Sequence, residues 1–239
     1  MFNTLKTNSE ALQENTDRIG GGFQPLKSNI YQAEIVYAYG ITSKNGAKGL
    51  TVKFNILQEG KEPYPFTTTF WISDKKGNTF YLDKEGKTHN LPGFNQANHL
   101  SVLLTGKELQ DSEFEVRSLP IYNFESRKEE PTEVQAIPEL FGKTLALAIK
   151  LIRENKREKS TSTGEYEPVN EERFINDIDK VFVINDEGEV FTFDEVRNNL
   201  PSEFATKWIG IWEGKTDDKY KEVKGASTKA GTTRKISIG

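Results

Sequence analysis

The sequence of 239 residues contains no cysteine, one methionine and two histidines. Without cysteine the chain has no disulfide, thiolate nucleophile or cysteine-ligated zinc, which is compatible with a reducing cytoplasm. His89 and His99 lack the spacing of paired metal ligands, so we expect surface or packing residues and neither metal nor cofactor. Phosphate-binding, dinucleotide-binding, nucleophile-elbow and zinc-protease motifs are also missing, so we expect no enzyme.

Long apolar runs are absent too. No stretch approaches the roughly 18 to 20 residues of a membrane span, and residues 1–15 lack the apolar centre of a signal peptide. We therefore expect a soluble, intracellular protein that has no membrane partner. The chain also lacks a positive balance, because its net charge is −4. The net charge therefore argues against a protein that coats nucleic acid through its overall charge, and any binding of nucleic acid needs a local excess of positive charge.

Charge is distributed unevenly along the chain. Residues 40–90 contain eight lysines against five acids, a local +3, whereas residues 108–142 contain nine acids against three basic residues, a local −6. A basic face and an acidic face on one domain would reconcile the negative total with an anionic ligand. The alternative is that both runs are only solvated surface.

Apolar alternation predicts a mainly β protein with a few helices. Strands are predicted at about residues 30–39, 49–57, 66–72, 79–82, 118–124 and 142–153, and helical spacing predicts a helix over residues 95–104 that Gly106 ends. Three strands, a helix and further strands follow the order of the OB-fold, a five-stranded Greek-key barrel. An open sandwich is the alternative.

Composition divides the chain into three parts. Residues 1–22 are predicted to be a flexible N-terminal segment, and residues 23–212 a single domain with C-terminal additions and a polar insertion near residues 154–168. The additions are a hairpin around residues 185–188 and a helix that Ser202 would cap. Residues 213–239 are predicted to form a disordered basic tail.

The stretch from Thr67 to Tyr81 combines aromatic rings with positive charge. It predicts a hairpin in which two aromatic pairs flank the turn of residues 75–78. Rings stack on bases and lysines follow phosphates at surfaces that hold single-stranded nucleic acid. The alternative is a structural hairpin with a soluble turn. Asp74 and Asp83 flank the turn, and we expect solubilising residues rather than metal ligands.

Several sequence blocks resemble one family. They are TLKTN at residues 4–8, DRIGGGFQPLKSNIYQAEI at 17–35, FWISDKKGNTFYLDKEGK at 70–87, LPGF at 91–94, LLTGKEL at 103–109 and WEGKT at 212–216. Their order is similar to that in single-stranded DNA-binding proteins of tailed bacteriophages, the N4-like podovirus type especially. The resemblance implies an OB-fold protein of phage DNA replication that binds single-stranded DNA without strong sequence preference in the cytoplasm of the infected bacterial host.

The residues and the resemblance together predict a single-stranded DNA-binding protein of phage replication and recombination, with a possible role in transcription. The predicted nucleic-acid-binding residues are Tyr37, Tyr39, Lys53, Trp71, Lys75, Lys76, Phe80, Tyr81, Lys84 and Lys87. A protein-binding regulator that uses the same fold without nucleic acid is the alternative.

The basic, aliphatic end of the chain is a second predicted site. Many single-strand binders recruit partners through an acidic, aromatic-ended C-terminus, and this chain departs from that pattern because it ends TTRKISIG. Arg234, Lys235, Ile236 and Ile238 are therefore predicted to bind replication or recombination proteins or host RNA polymerase. A tail that only attracts DNA is the alternative.

Overall fold

The computed structural model describes residues 24–161 and 163–223, which form eleven β-strands and three α-helices. The predicted mainly β architecture is therefore confirmed. The strands are β1 (Asn29–Thr42), β2 (Lys48–Ile56), β3 (Tyr64–Trp71), β4 (Phe80–Leu82), β5 (Thr88–Asn90), β6 (Glu115–Asn123), β7 (Lys128–Ala136), β8 (Thr144–Lys159), β9 (Tyr166–Ile184), β10 (Val190–Phe191) and β11 (Thr216–Asp218). The helices are α1 (Pro92–Thr105), α2 (Phe193–Arg197) and α3 (Phe204–Trp212).

Strand β1 lies at the centre of the main sheet. It pairs with β2 along one edge, and along its other edge with β8 through residues 29–34 and with β7 at residues 39–40. The main path of the sheet runs β10, β9, β8, β1, β2, β3. The apolar alternation of β2 explains its place beside β1, because Leu50, Val52, Phe54 and Ile56 all turn inward and are buried.

Helix α1 covers the opening of this sheet between β3 and β9. It packs against both β3 and β9, and Gln96 Nε2 donates a 2.7 Å hydrogen bond to the carbonyl oxygen of Ile178. Its first turn lies so close to β3 that a Cβ on Gly93 would sit 2.4 Å from the carbonyl oxygen of Trp71. The helix ends where Gly106 takes a left-handed φ of 74°, as predicted.

The sheet does not close into a barrel. Among the described residues no strand ladder joins β3 to β9, and α1 occupies that position instead. The closed five-stranded barrel of the sequence prediction is therefore replaced by an antiparallel sheet whose open side a helix covers.

The prediction of a hairpin around residues 75–78 is wrong about which strands pair with each other. Strand β3 pairs only with β2 in the described part of the chain, whereas β4 turns away and pairs with β5 in a separate two-stranded sheet. The turn itself exists and is closed by its own backbone hydrogen bonds. A three-residue strand such as β4 carries too little alternation to specify its partner.

Two acidic or polar segments form strands that the sequence did not predict. Strand β7 lies between the predicted strands, within the acidic run, and pairs with all of β6. Residues 154–168, predicted as an insertion, form the distal part of the β8–β9 hairpin. Both segments are largely exposed, so they lack the apolar alternation that reveals a half-buried strand.

The C-terminal additions dock on the outside of β8 and β9. The β9–β10 hairpin forms as predicted, and α3 buries Trp208 against Phe182. Ser202 does not cap α3; its Oγ donates to the carbonyl oxygen of Val190, and Glu195 instead accepts from the first backbone N–H groups of the helix.

Part of the segment that was predicted to be a disordered tail is ordered. Residues 216–218 form β11, parallel to β8, and Val223 exchanges two hydrogen bonds with the side chain of Asn170. Residues up to 223 are therefore ordered. The predicted N-terminal segment of residues 1–22 and the tail residues Arg234, Lys235, Ile236 and Ile238 lie outside the described residues.

Candidate nucleic-acid interface

Three loops of one type carry lysines, and two of them hold four of the five predicted lysines. They span residues 43–47, 74–78 and 83–87, and in each the first residue accepts from a glycine three positions later and donates to the carbonyl of the fifth residue. The glycine takes a positive φ, 89° at Gly77 and 82° at Gly86, which other residues rarely adopt. The repeated spacing of a polar residue and a glycine therefore dictates the loop geometry.

The two loop aspartates are held by their own loops. Asp74 Oδ1 accepts from the backbone N–H groups of Lys76 and Asn78, and Asp83 Oδ1 accepts from those of Glu85 and Lys87. The hydrogen bonds from the Asn78 side chain and backbone lower the pKa of Asp74, and the hydrogen bond from His89 is the main cause that lowers the pKa of Asp83. These carboxylates support the loop backbone and form no ion pair with the lysine side chains described beside them.

Six exposed lysines in and beside these loops form no ion pair with any described carboxylate. They are Lys44, Lys48, Lys75, Lys76, Lys84 and Lys87. Two of the loops touch each other, since a Cβ on Gly46 would lie 3.3 Å from the carbonyl oxygen of Lys75. We call this set the free lysines. Their charges are available to an anionic ligand.

Trp71 lies on the outer face of the sheet next to these loops. It ends the row Thr67, Thr69 and Trp71 of β3, which pairs with Lys53, Thr51 and Gly49 of β2. A Cβ on Gly49 would lie 3.2 Å from Trp71 Cε3, so the indole rests on the bare backbone of this glycine. The ring is 45% exposed. One part of a large ring is therefore fixed while the rest is open to a stacking partner.

Strand β4 exposes two more of the predicted rings. Phe80 and Tyr81 are 46% and 47% exposed on opposite sides of the strand. The Tyr81 ring stacks on His89 with 5.5 Å between centroids, and His89 Nε2 lies 2.7 Å from Asp83 Oδ2. The contacts of Asp83 with His89 and of His89 with Tyr81 fix the Tyr81 ring beside the loop of residues 83–87. Seven predicted residues are therefore exposed on β3, β4 and the loops beside them. They are Trp71, Lys75, Lys76, Phe80, Tyr81, Lys84 and Lys87.

Tyr37, Tyr39 and Lys53 have a different environment. The β6–β7 hairpin covers both tyrosines, which are only 5% and 8% exposed, and the Tyr37 hydroxyl donates to the carbonyl oxygen of Pro120. Burial, followed by Tyr39 and Glu129, raises the pKa of Tyr37 to about 12. A base could reach either ring only after the hairpin had moved.

Lys53 is occupied by an internal partner. Its Nζ lies 2.6 Å from Glu129 Oε1 on β7 and 5.4 Å from the centre of the Tyr37 ring. The Lys53 side chain is 17% exposed and that of Glu129 is 48% exposed, so solvent partly screens this pair. Lys53 therefore holds the hairpin against the sheet, and the candidate interface consists of the seven exposed residues on β3, β4 and their loops.

Two members of the free lysines were not among the predicted site residues. Lys44 lies in the loop of residues 43–47, and the backbone N–H of Lys48 donates to Ser73 Oγ at 3.1 Å, just before Asp74. Their signal in the sequence was the turn at residues 43–46, which repeats the spacing of the two aspartate loops. That spacing does not show that the loops converge, which is seen only in the structure, where Gly46 lies beside Lys75 and Lys48 bonds Ser73.

The histidines have structural partners. His99 on α1 stacks on Phe193 with ring centroids 4.2 Å apart, and burial lowers its pKa. Within residues 24–161 and 163–223 no group of three or more histidine or acidic side chains is arranged to hold a metal ion. None of the helices in the same part of the chain is long and apolar enough to cross a membrane.

Comparison with known proteins adds no relative. No family model matches this chain, and no curated protein matches it. The resemblance of the sequence blocks to phage single-stranded DNA-binding proteins therefore stays a prediction. The geometry of the free lysines and the exposed rings is independent support for a nucleic-acid ligand.

Proposed function

We propose that this protein binds single-stranded DNA without sequence preference and supports phage DNA replication and recombination, and transcription, in the cytoplasm of an infected bacterium. The observation that carries the proposal is the set of six free lysines beside the exposed rings of Trp71, Phe80 and Tyr81. Lysines on flexible stems attract phosphates without reading bases, and exposed rings stack on any base.

Single strands suit this surface better than duplex. Bases in a duplex are stacked on each other, so rings that stand out from a protein surface reach them only in a strand whose bases are free. No catalytic group is required for such binding, and we propose that the protein is not an enzyme. The phage assignment rests on the sequence blocks, and the strand-binding assignment rests on the surface.

We also propose that the domain is a variant of the OB-fold. Three features support this: β1 is shared between β2 and β8, α1 follows β3 after the short β4–β5 hairpin, and α1 packs against both β3 and β9, where the last strand of an OB barrel would pair. OB-folds bind strands on the face of their second and third strands and in the loop that joins the first two. In this chain those elements carry Trp71 and Lys44.

The second candidate function is a protein-binding regulator. The observation in its favour is the β6–β7 hairpin, which is acidic and exposes Phe114, Val116, Tyr122 and Phe124. This surface repels DNA and fits a protein. It uses residues other than the free lysines, so the two functions are not exclusive.

The test is a fluorescence titration of the full chain with oligo(dT) at several salt concentrations. Trp71 is exposed, whereas Trp208 is buried and Trp212 lies under Lys150 Nζ at 3.9 Å. Stacking should therefore quench Trp71 alone, and a Trp71→Phe variant should lose the change in signal while it keeps most of the affinity. A protein-binding regulator would show neither quenching nor salt-dependent affinity.

A further inference from the structure

The β6–β7 hairpin, which we call the acidic arm, has one buried face and one exposed apolar face. Leu119 and Ile121 pack on Tyr37 and Tyr39, which anchors the arm. The alternate residues form an exposed column in which Phe114 is 46%, Val116 61%, Tyr122 47% and Phe124 87% exposed. Phe124 meets Tyr122 edge-on with 5.2 Å between ring centroids. Within the described residues nothing covers this column.

Acidic side chains flank the column. The strand register places Glu133 opposite Ser118 and Glu129 opposite Tyr122, and Glu125 follows Phe124. Glu129 is paired with Lys53, whereas Glu125 and Glu133 form no ion pair with a described cation. An apolar column with unpaired negative charge beside it fits a segment that combines aliphatic and basic residues.

The chain itself contains such a segment. Residues 225–239 carry three cations and no acid, and they end Arg234, Lys235, Ile236, Ser237, Ile238, Gly239. In an extended conformation Ile236 and Ile238 point to the same side, as the alternate residues of the column do. The cations then lie where the glutamates of the arm can reach them.

A second copy can supply this segment more easily than the same copy. Asn170 holds Val223 beside residue 156 of β8. The distance from there to the arm follows β8 down to Ile149, which pairs with Asn29, and then β1 up to Gly40, which pairs with β7. This path covers about 18 residues, roughly 60 Å if the strands ran straight. The thirteen residues from Val223 to Ile236 span at most about 45 Å. Along this straight path the tail of one copy would fall about 15 Å short of its own arm, and a second copy imposes no such limit.

We propose that residues 234–238 of one copy dock on the apolar column of the acidic arm of a second copy. The two contacting surfaces differ, so two copies can exchange tails in a closed dimer, or each copy can pass its tail to the next in a ring or an open row. This association needs no DNA, so it can hold or fail independently of the proposed function.

Sedimentation velocity of the full chain without DNA tests the proposal. We expect the average mass to rise with protein concentration to about twice the monomer mass or more, and to fall at high salt. The arm variant Val116→Ser/Phe124→Ser and the tail variant Ile236→Ser/Ile238→Ser should each remain monomeric. Tyr166→Ser is the matched control, because Tyr166 is 65% exposed on β9, away from the arm.

Mixing the two variants gives the decisive result. The arm variant has an intact tail and the tail variant an intact column, so an equimolar mixture should form a 1:1 dimer and nothing longer. The melting midpoints of all variants should equal that of the wild type, since the replaced arm residues are exposed. A wild type that stays monomeric, an arm variant that associates like the wild type, or a mixture that stays monomeric would each overturn the proposal.

Discussion

The loops of the free lysines and the distal β8–β9 hairpin are both rich in charge, yet their cations differ in how many are paired. In the hairpin Arg153 pairs with Glu172 and Asp218, Lys156 pairs with Glu158 and Glu171, and Arg173 pairs with Glu154, while Arg157 and Lys159 form no described ion pair. In the loops no described lysine has a carboxylate partner. Most of the hairpin cations are therefore neutralised, whereas the loop lysines present an available positive surface.

The cause of the difference is the geometry of the two regions. Opposite charges in the hairpin meet across the strand ladder: Arg173 lies directly opposite Glu154, and Arg153 reaches Glu172 on the diagonal. In the loops Asp74 and Asp83 turn back onto their own backbone N–H groups. A count of charges cannot distinguish these cases, because it does not show what each acid contacts.

The largest expected effect comes from removing four free lysines. Lys75→Gln/Lys76→Gln/Lys84→Gln/Lys87→Gln should flatten the slope of log affinity for oligo(dT) against log salt by roughly 2.8, which is about 0.7 for each lost phosphate contact. Affinity at low salt should fall for all sequences alike. The measurement is fluorescence anisotropy of labelled oligo(dT) over a salt series.

The matched control removes four paired cations instead. Arg153→Gln/Lys156→Gln/Arg173→Gln/Lys207→Gln changes the net charge by the same amount, and Lys207 is paired with Glu203 on α3. We expect its salt slope to stay close to that of the wild type, because these charges are already neutralised. Equal slopes for the two quadruple variants would show that only net charge matters and that the two regions do not differ in their availability to DNA.

Trp71 should contribute the next largest effect. Trp71→Ala should weaken binding to oligo(dT) by roughly 1 to 3 kcal/mol, the usual loss for one stacked base, at every salt concentration. Its melting midpoint should fall little, since the ring is 45% exposed and covers only Gly49. Tyr166→Ala is the control for an exposed ring outside the interface. If Trp71→Ala binds like the wild type, the indole has only a structural role.

Removing acids from the hairpin should produce a smaller gain. Glu154→Gln/Glu171→Gln/Glu172→Gln takes a carboxylate partner from each of Arg173, Lys156 and Arg153. We expect oligo(dT) affinity at low salt to rise and the salt slope to steepen by about one contact, roughly 0.7. The anisotropy series used for the lysine variants measures this. An unchanged affinity would mean that position, rather than pairing, keeps DNA away from the hairpin.

The smallest effect concerns pH. The pKa of Asp83 is lowered, first by His89, so its ionised form stabilises the loop above the ordinary pKa of aspartate, and this contribution is lost as the pH falls through the lowered value. NMR titration of the carboxyl carbon should place the pKa of Asp83 below that of ordinary aspartate. In His89→Ala it should move back toward the ordinary value. No movement would show that His89 does not hold the loop.

The strongest predictions from sequence concerned regions with regular apolar spacing. Leu50, Val52 and Phe54 alternate and form the buried face of β2, and α1 follows from helical spacing ended by Gly106. The lysine loops follow from the spacing between Asp74 and Gly77. These features depend on residues near each other in the chain, so a local pattern is sufficient to predict them.

Features that depend on distant residues were missed. Tyr37 and Tyr39 alternate as exposed stacking residues would, but their cover is the acidic arm, about 80 or more residues later in the sequence. Strand β7 was missed because its glutamates face solvent and leave no apolar alternation. The pairing of β4 with β5 was missed because strand order is decided by the whole sheet rather than by three residues.

The most direct test of the difference between free and paired cations is lysine acetylation with and without oligo(dT), followed by mass spectrometry. Lys44, Lys48, Lys75, Lys76, Lys84 and Lys87 should react readily in the free protein and be protected by the strand, because their ammonium groups would contact phosphates. Lys53 and Lys156, each held by a glutamate, should react equally with and without the strand. Protection of the paired lysines while the free lysines remain reactive would contradict the proposed binding surface.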